Sequence, residues 1–370
     1  MTFEELRLLV HICCSVDSHY FLEKLQEEYP KESIVGYFYD PNIQPYSEYA
    51  LRLLDVQYSC EKLGIELIEG EYDLENWLHA VKGLEHEPEK GDRCTVCFDT
   101  RLKRTAQKAK ELGHTSFTTT LLISPKKSQD KLEIIGDALA KEYDLAFVFK
   151  DYRSGNGTQL QGKAVKENAL YRQNYCGCLF GLIPQREQQN RLLDEMICPI
   201  NQQLLPQSIE ARYKLFMQRN VLAKKGKRYA LIKSRFLNYR LLRAKIAINK
   251  MVVPSHFLFY STLNKGKTSG RIEYSHEGLH YLNKDEVKLI ELSLLNSFCH
   301  THYTTIQELL KTPLAYDEEI QLRQNLTHYT YDLSTIIVLQ TVPHDAKYEI
   351  ELDSKIYEDV KETILIKGDA

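Results

Sequence analysis

The chain is short of several things. No run approaches the roughly 20 consecutive apolar residues that a membrane span requires, so no membrane partner is expected. Its opening, Met1-Thr2-Phe3-Glu4-Glu5, lacks the basic-then-apolar layout of a secretory signal, and a cytoplasmic location is expected. There is no internal repeat and no low-complexity tract. Between Ala211 and Ile272, 62 residues pass without one Asp or Glu, while Lys and Arg number 16. The chain as a whole carries only -3, so the remainder is strongly acidic. One basic segment on an acidic body points to a local polyanion site rather than general stickiness.

Six of the nine cysteines fall in three tight pairs, Cys13-Cys14, Cys94-x-x-Cys97 and Cys176-Gly177-Cys178. Packing alone does not ask for paired cysteines. In a reducing compartment such pairs bind metal or do redox chemistry more often than they form structural disulfides. Cys94 and Cys97 lie one helical turn apart, which suits a tetrahedral metal or one edge of an iron-sulfur cluster. Arg93, Arg101 and Arg104 nearby favour thiolates. Alternate residues of an extended chain share a face, and Gly177 permits an unusual turn. Cys176 and Cys178 therefore read either as a strained, labile redox pair or as metal ligands. Cys60, Cys198 and Cys299 stand alone and read as ordinary core or surface residues.

The 370 residues suffice for two domains. Up to about residue 190, short apolar runs alternate with helical periodicity. Strands are expected near 6–12, 33–39, 65–68, 115–123 and 145–149. Helices are expected from a cap at Asp17 or Ser18 to Tyr29, and over 46–63, 94–112, 129–143 and 163–171. Gly64 and Gly113 serve as helix stops. This alternation predicts an α/β fold, a doubly wound parallel sheet with ligands at the carboxyl ends of its strands. Cys13-Cys14 ends the first of them. Beyond Arg186 the rhythm changes. Helices over 188–197, 212–219, 284–298 and 304–311, with strands near 229–231, 236–242, 257–260 and 334–339, predict a second, smaller α+β domain. The expected domains are 1–190 and 191–370.

Five ordered segments then become recognisable: Leu8 to Cys14 (LLVHICC), Gly36 to Pro45 (GYFYDPNIQP), Arg93 to Phe98 (RCTVCF), Thr118 to Lys126 (TTTLLISPK) and Leu170 to Cys178 (LYRQNYCGC). Over about residues 6 to 182 the chain resembles the QueH family of epoxyqueuosine reductases. The resemblance implies an adenine-nucleotide-hydrolase-like fold. It also implies two-electron deoxygenation of the epoxide of epoxyqueuosine in tRNA, giving queuosine in the last step of its biosynthesis. It implies an oxidoreductase with a [4Fe-4S] cluster held by Cys13, Cys14, Cys94 and Cys97, and a redox-active, disulfide-forming pair in Cys176 and Cys178. A second, mononuclear iron is implied beside the cluster. Asp17, where the first motif often carries a further cysteine, is a candidate ligand for that iron or a proton donor to the substrate oxygen. Asp40 and Asn42 become candidate substrate-pocket residues, with Lys126, Arg172 and Gln173. The expected partners are the anticodon loop of a queuosine-type tRNA and an electron donor that the sequence does not identify.

Other readings remain open at this point. A tRNA-thiolating ATP pyrophosphatase would want a Ser-Gly-Gly-rich phosphate loop after the first strand, and His11 to Ser18 has none. A zinc-bound RNA-binding module accounts for the cysteines and the basic segment but not for a labile Cys-Gly-Cys. His11 reads as a strand core residue, and Ser154 to Thr158 as a mobile glycine-rich loop. The aromatics of the basic segment, Phe216, Tyr229, Phe236, Tyr239, Phe257, Phe259 and Tyr260, are either core or a stacking surface for RNA bases.

Overall fold

The computed structural model of the chain describes residues 7–30, 33–197, 199, 201, 203–283, 287–329 and 332–367. It divides into two compact units. One comprises Met1–Ile197, Arg212–Ile232 and Ile364–Ala370, the other Cys198–Ala211 and Lys233–Thr363.

The first unit runs β1 (Leu8–Ile12), α1 (Ser15–Glu28), β2 (Ile34–Phe38), α2 (Tyr46–Leu63), β3 (Glu66–Glu69), α3 (Leu74–Ala80), α4 (Asp92–Glu111), β4 (Ser116–Thr119), α5 (Gln129–Tyr143), β5 (Ala146–Phe147), α6 (Gly157–Glu167) and α7 (Leu179–Gln188). Most of α8 (Ile209–Lys224) also packs here. The sheet is wholly parallel, in the order β3-β2-β1-β4-β5. All five residues of β1 are buried, as expected of a central parallel strand covered on both faces. The strand order reverses at β1, so chain leaving its carboxyl end enters the crevice where such folds place ligands. Gly64 ends α2 in the left-handed conformation (φ 64°), the stop read from the sequence.

Several expectations shift. Asp17 and Ser18 do not cap α1, which begins at Ser15 after Cys14, because the Asp17 side chain turns instead to Cys13 and Gln161. The run 115–123 is a strand only to Thr119, whose side chain accepts from the Leu121 N–H and tightens Thr120–Ile123 into a 3₁₀ turn. The glycine-rich segment is not a free loop: Gly155 turns at φ 63° and Gly157 opens α6, ahead of the helix expected over 163–171. The helix expected over 188–197 lies earlier, as α7 directly after Cys178. Residues 212–232 were expected in the accessory part but pack in the first unit. There Arg219 of α8, fully buried, ion-pairs with buried Asp55 at 2.6 Å.

The second unit contains most of β6 (Tyr229–Ile248), β7 (Met251–Val253), β8 (His256–Phe257), β9 (Lys267–Gly270), β10 (Ile272–His276), β11 (Leu279–Leu282), β12 (Val287–Glu291), α9 (Leu292–Cys299), α10 (Ile306–Lys311), α11 (Tyr316–Thr327), β13 (Ile336–Leu339) and most of β14 (Tyr348–Ile366). One sheet has the order β10-β11-β12-β13-β8, the other β7-β6-β14-β9. This is the α+β part. The helix expected over 284–298 is the strand β12 followed by α9; residues 284–286 lie outside the described residues. Phe216, Tyr239 and Phe257 are buried and belong to the core, while the other aromatics of the basic segment are part-buried. Acidic β14 answers part of the basic charge. Arg243, Lys245 and Lys267 converge on Glu351, and Lys233 meets Glu362. Cys60 is core, Cys299 is half-buried, and Cys198 lies outside the described residues.

Candidate active site

The carboxyl end of β1 delivers Cys13 and Cys14 into a cavity of ≈ 330 Å³ in the first unit. Their sulfurs are 3.7 Å apart, and the Cys13 thiol donates to Asp17 Oδ2 at 3.4 Å. Donor atoms of Cys13, Cys14 and Asp17 all lie within 4.8 Å of one another, a spacing that can hold one metal ion. Burial raises the Asp17 pKa against its hydrogen bonds from Cys13 and Gln161. Its hydrogen bond to Cys13, followed by burial, pushes the Cys14 thiol well up.

The amino-terminal turns of α4 bring Cys94 and Cys97 to the same cavity. The Lys90 N–H donates to Cys94 Sγ at 3.3 Å from a backbone held at φ 74°. A non-glycine residue in that region is uncommon and gathers at functional sites. Cys97 packs against Trp77, Val81 and Cys178, and burial raises its thiol. One turn on, Arg101 lines the cavity and ion-pairs with Asp40 behind it.

Cys176 and Cys178 approach from the loop before α7. Gly177 sits at φ 108°, where a Cβ would meet Ile43 Cγ1 at 2.8 Å, so only glycine fits. Arg52 of α2 fixes this loop by donating to the carbonyls of Cys176 (3.1 Å) and Tyr175 (3.0 Å). Arg52 is itself paired with buried Glu48, which accepts from Tyr171; the Tyr171 hydroxyl takes a hydrogen bond from Arg212 of α8. All eight described cysteines are free thiols, so the Cys176–Cys178 disulfide expected from the sequence is not formed. Instead the hydrogen bond from Cys178 holds Cys176 well below the usual thiol range, with Lys127 helping, while Cys178 is pushed up. Burial alone would lower Lys127, but Cys176, Cys97 and Cys94 carry it upward.

The six paired cysteines, Asp17, Asn42, Lys126, Arg172 and Gln173 therefore line one cavity. Asn42 Oδ1 and Gln173 Oε1 are buried there without a hydrogen-bond partner, acceptors left open for a ligand. Asp40 does not line it. Burial pushes its carboxyl up to about 7 against the pull of Arg101, and its contact is with that arginine. His11 also stays out, with Nδ1 2.8 Å from Thr119 Oγ1 and Nε2 3.1 Å from the Tyr39 carbonyl. The sequence reading missed Arg52, Trp77, Phe98 and Tyr175 in the lining. Nothing in the spacing of Arg52 separates it from a solvated helix-surface arginine.

Comparison with known proteins gives the chain's family. Residues 8–183 match the family model described as epoxyqueuosine reductase QueH. Epoxyqueuosine reductase QueH of Helicobacter pylori is 42% identical over 347 residues, covering 90% of this chain and 94% of that protein. The same-named protein of Thermotoga maritima is 39% identical over 183 residues, covering 49% of this chain and 92% of its own. A solved structure, the U34-tRNA thiolase NcsA from Methanococcus maripaludis with its [4Fe-4S] cluster, covers 59% of this chain and 73% of that one. Its TM-score is 0.34 at 14% identity, a likeness too slight to bear on chemistry. The paired cysteines, the cavity they share and the near-full-length match to a curated relative converge on one conclusion: the chain belongs to the QueH family of epoxyqueuosine reductases.

Proposed function

We propose that this chain reduces epoxyqueuosine in tRNA to queuosine, the last step of queuosine biosynthesis, acting in the cytoplasm on the anticodon loop. Six thiols and a buried carboxyl around one cavity, in a chain of this family, carry the reading. Removing the epoxide oxygen to leave a carbon–carbon double bond consumes two electrons and two protons and releases water. The electrons enter from a one-electron donor outside the chain.

A donor set of thiolates with one carboxylate suits iron, and thiolates suit an iron-sulfur cluster in particular. A [4Fe-4S] cluster held here supplies electrons singly, and a neighbouring mononuclear iron supplies a Lewis acid for the epoxide oxygen. The thiols can be allotted in two ways. In the division drawn from the sequence, Cys13, Cys14, Cys94 and Cys97 hold the cluster, Cys176 and Cys178 relay electrons, and Asp17 protonates the leaving oxygen. The geometry favours another. Cys13, Cys14 and Asp17 close on one point and suit the single iron, whereas Cys97 packs with Cys178 beside Cys176 and suits the cluster together with Cys94.

The remaining lining residues bind and orient. The open acceptors of Asn42 and Gln173 receive N–H or O–H groups of the modified base. Arg172 and Lys126 meet its polar edge and the adjoining backbone. Asp40 acts through Arg101, as a positioning residue. The fold supporting this chemistry is the adenine-nucleotide-hydrolase-like arrangement, for which the 3-2-1-4-5 strand order speaks.

Anaerobic purification tests the reading. Brown protein with broad visible absorption and several irons per chain is expected; a colourless zinc protein contradicts it. Cys178→Ser separates the two allotments. Turnover lost with absorption and iron retained supports the electron relay, whereas loss of all three makes Cys178 a ligand.

A further inference from the structure

A second, smaller cavity of ≈ 170 Å³ opens beside the cysteine cavity, lined by Lys90, Lys126, Lys127 and Lys131 with Glu89, Cys94, Phe98, Pro125 and Ser128. The two share Glu89, Cys94, Phe98, Lys126 and Lys127, so a ligand can reach from one into the other. Four lysines and one glutamate are in that lining. Among the described residues none of the four lysines is ion-paired with an acid. Lys131 donates to Thr95 Oγ1 at 3.0 Å, and the Lys127 ammonium stands 5.7 Å from the centroid of the Phe98 ring. Ser128 caps α5, which adds the positive end of a helix to the same wall. Lys127 leans on the thiols of the neighbouring cavity, but Lys90, Lys126 and Lys131 have no acid paired with them, and like charges gathered in a concave site favour an anion.

We infer that this lysine pocket binds a backbone phosphate of the tRNA, one adjoining the nucleotide whose base enters the cysteine cavity. The inference rests on the reading that the chain acts on epoxyqueuosine within tRNA. A modified base cannot be presented without its flanking phosphodiesters. The pocket places cationic donors where the chain of the RNA must pass on leaving the cavity. Phosphate contacts position a nucleic acid while base contacts select it, and here the lysines fix register for the thiols.

The test uses the full, iron-loaded chain and an anticodon stem-loop carrying epoxyqueuosine. Lys90→Gln and Lys126→Gln change exposed side chains. Each is expected to weaken binding and to flatten the slope of log affinity against log salt by about 0.7. Replacing the two phosphates that flank the modified nucleotide with uncharged methylphosphonates should weaken wild-type binding likewise and erase the variants' deficit. Unchanged salt slopes overturn the inference, as do deficits that add to that of the neutral RNA. Competition by flavin mononucleotide against wild type but not against the variants would give the pocket to the electron donor and also overturn it. Product formation from the same RNA is measured alongside. A wild type that forms queuosine while the variants keep their salt slopes refutes the pocket alone; a wild type that forms none refutes the underlying function as well.

Discussion

Gly177 shows how one residue can decide whether the site exists. At φ 108° with Ile43 Cγ1 at 2.8 Å from any added Cβ, alanine there is strained twice over. Such strain costs about 1–3 kcal/mol, and the loop can relieve it only by moving Cys176 and Cys178. Gly177→Ala is therefore expected to lower iron content and turnover together, measured by iron analysis and single-turnover assay. Asp17 acts differently. Asp17→Asn keeps the shape and the acceptor for Gln161 but removes the carboxylate beside Cys13 and Cys14. With Asp17 as an iron ligand, the variant loses about one iron per chain by metal analysis while its cluster absorption persists, because one donor of three is gone. Iron content equal to wild type with turnover abolished would make Asp17 the proton donor instead.

Among elements, α8 lies beyond the segment matched by the family model yet supports the thiol loop inside it. From Arg212 the hydrogen bonds run through Tyr171, Glu48 and Arg52 to the carbonyls of Tyr175 and Cys176. Arg212→Gln is expected to lower kcat and to leave the salt dependence of tRNA binding unchanged, because it loosens the loop without removing a phosphate contact. Arg219→Leu is a harsher change. It leaves the buried Asp55 carboxylate without its ion pair, which costs about 3–5 kcal/mol and appears as a lower denaturation midpoint.

The same scale shows what the sequence could tell. Alternating apolar strands and amphipathic helices with glycine stops made the parallel sheet legible from Leu8 to Phe149, and the cysteine spacing marked the cavity. The end of the strand at Thr119 was hidden, because β-branched residues favour a strand and only the Thr119 side chain breaks it. Arg52, Arg212 and Arg219 were hidden too. An arginine buried by partners distant in sequence has no local signature, and 124 residues separate Arg52 from Cys176. Asp40 was legible as important but not in its role, since the motif could not show that it faces Arg101.

For the whole molecule, the basic segment is less free than its composition suggests. Arg219 and Arg240 are buried, and Glu351 and Glu362 of β14 answer four further cations. Lys224, Lys225, Lys227 and Arg228 at the end of α8 are all exposed, with Lys224 meeting Glu61 at 3.1 Å. Replacing these four with glutamine is expected to weaken tRNA binding and reduce its salt slope by up to about 3. An unchanged slope at low salt would remove this surface from the tRNA contact. Among the described residues no helix is long and apolar enough to cross a membrane, and the near-full-length relative extends through the second unit as well as the first. The chemistry belongs to the cavity of the first unit, and a single mixing experiment reaches it. The iron-loaded chain is mixed anaerobically with an epoxyqueuosine-bearing anticodon stem-loop and a low-potential one-electron reductant, and the RNA is weighed by mass spectrometry. RNA lighter by one oxygen atom, with queuosine in place of the epoxide, is expected. Unaltered RNA from protein with its iron and visible absorption intact would contradict it.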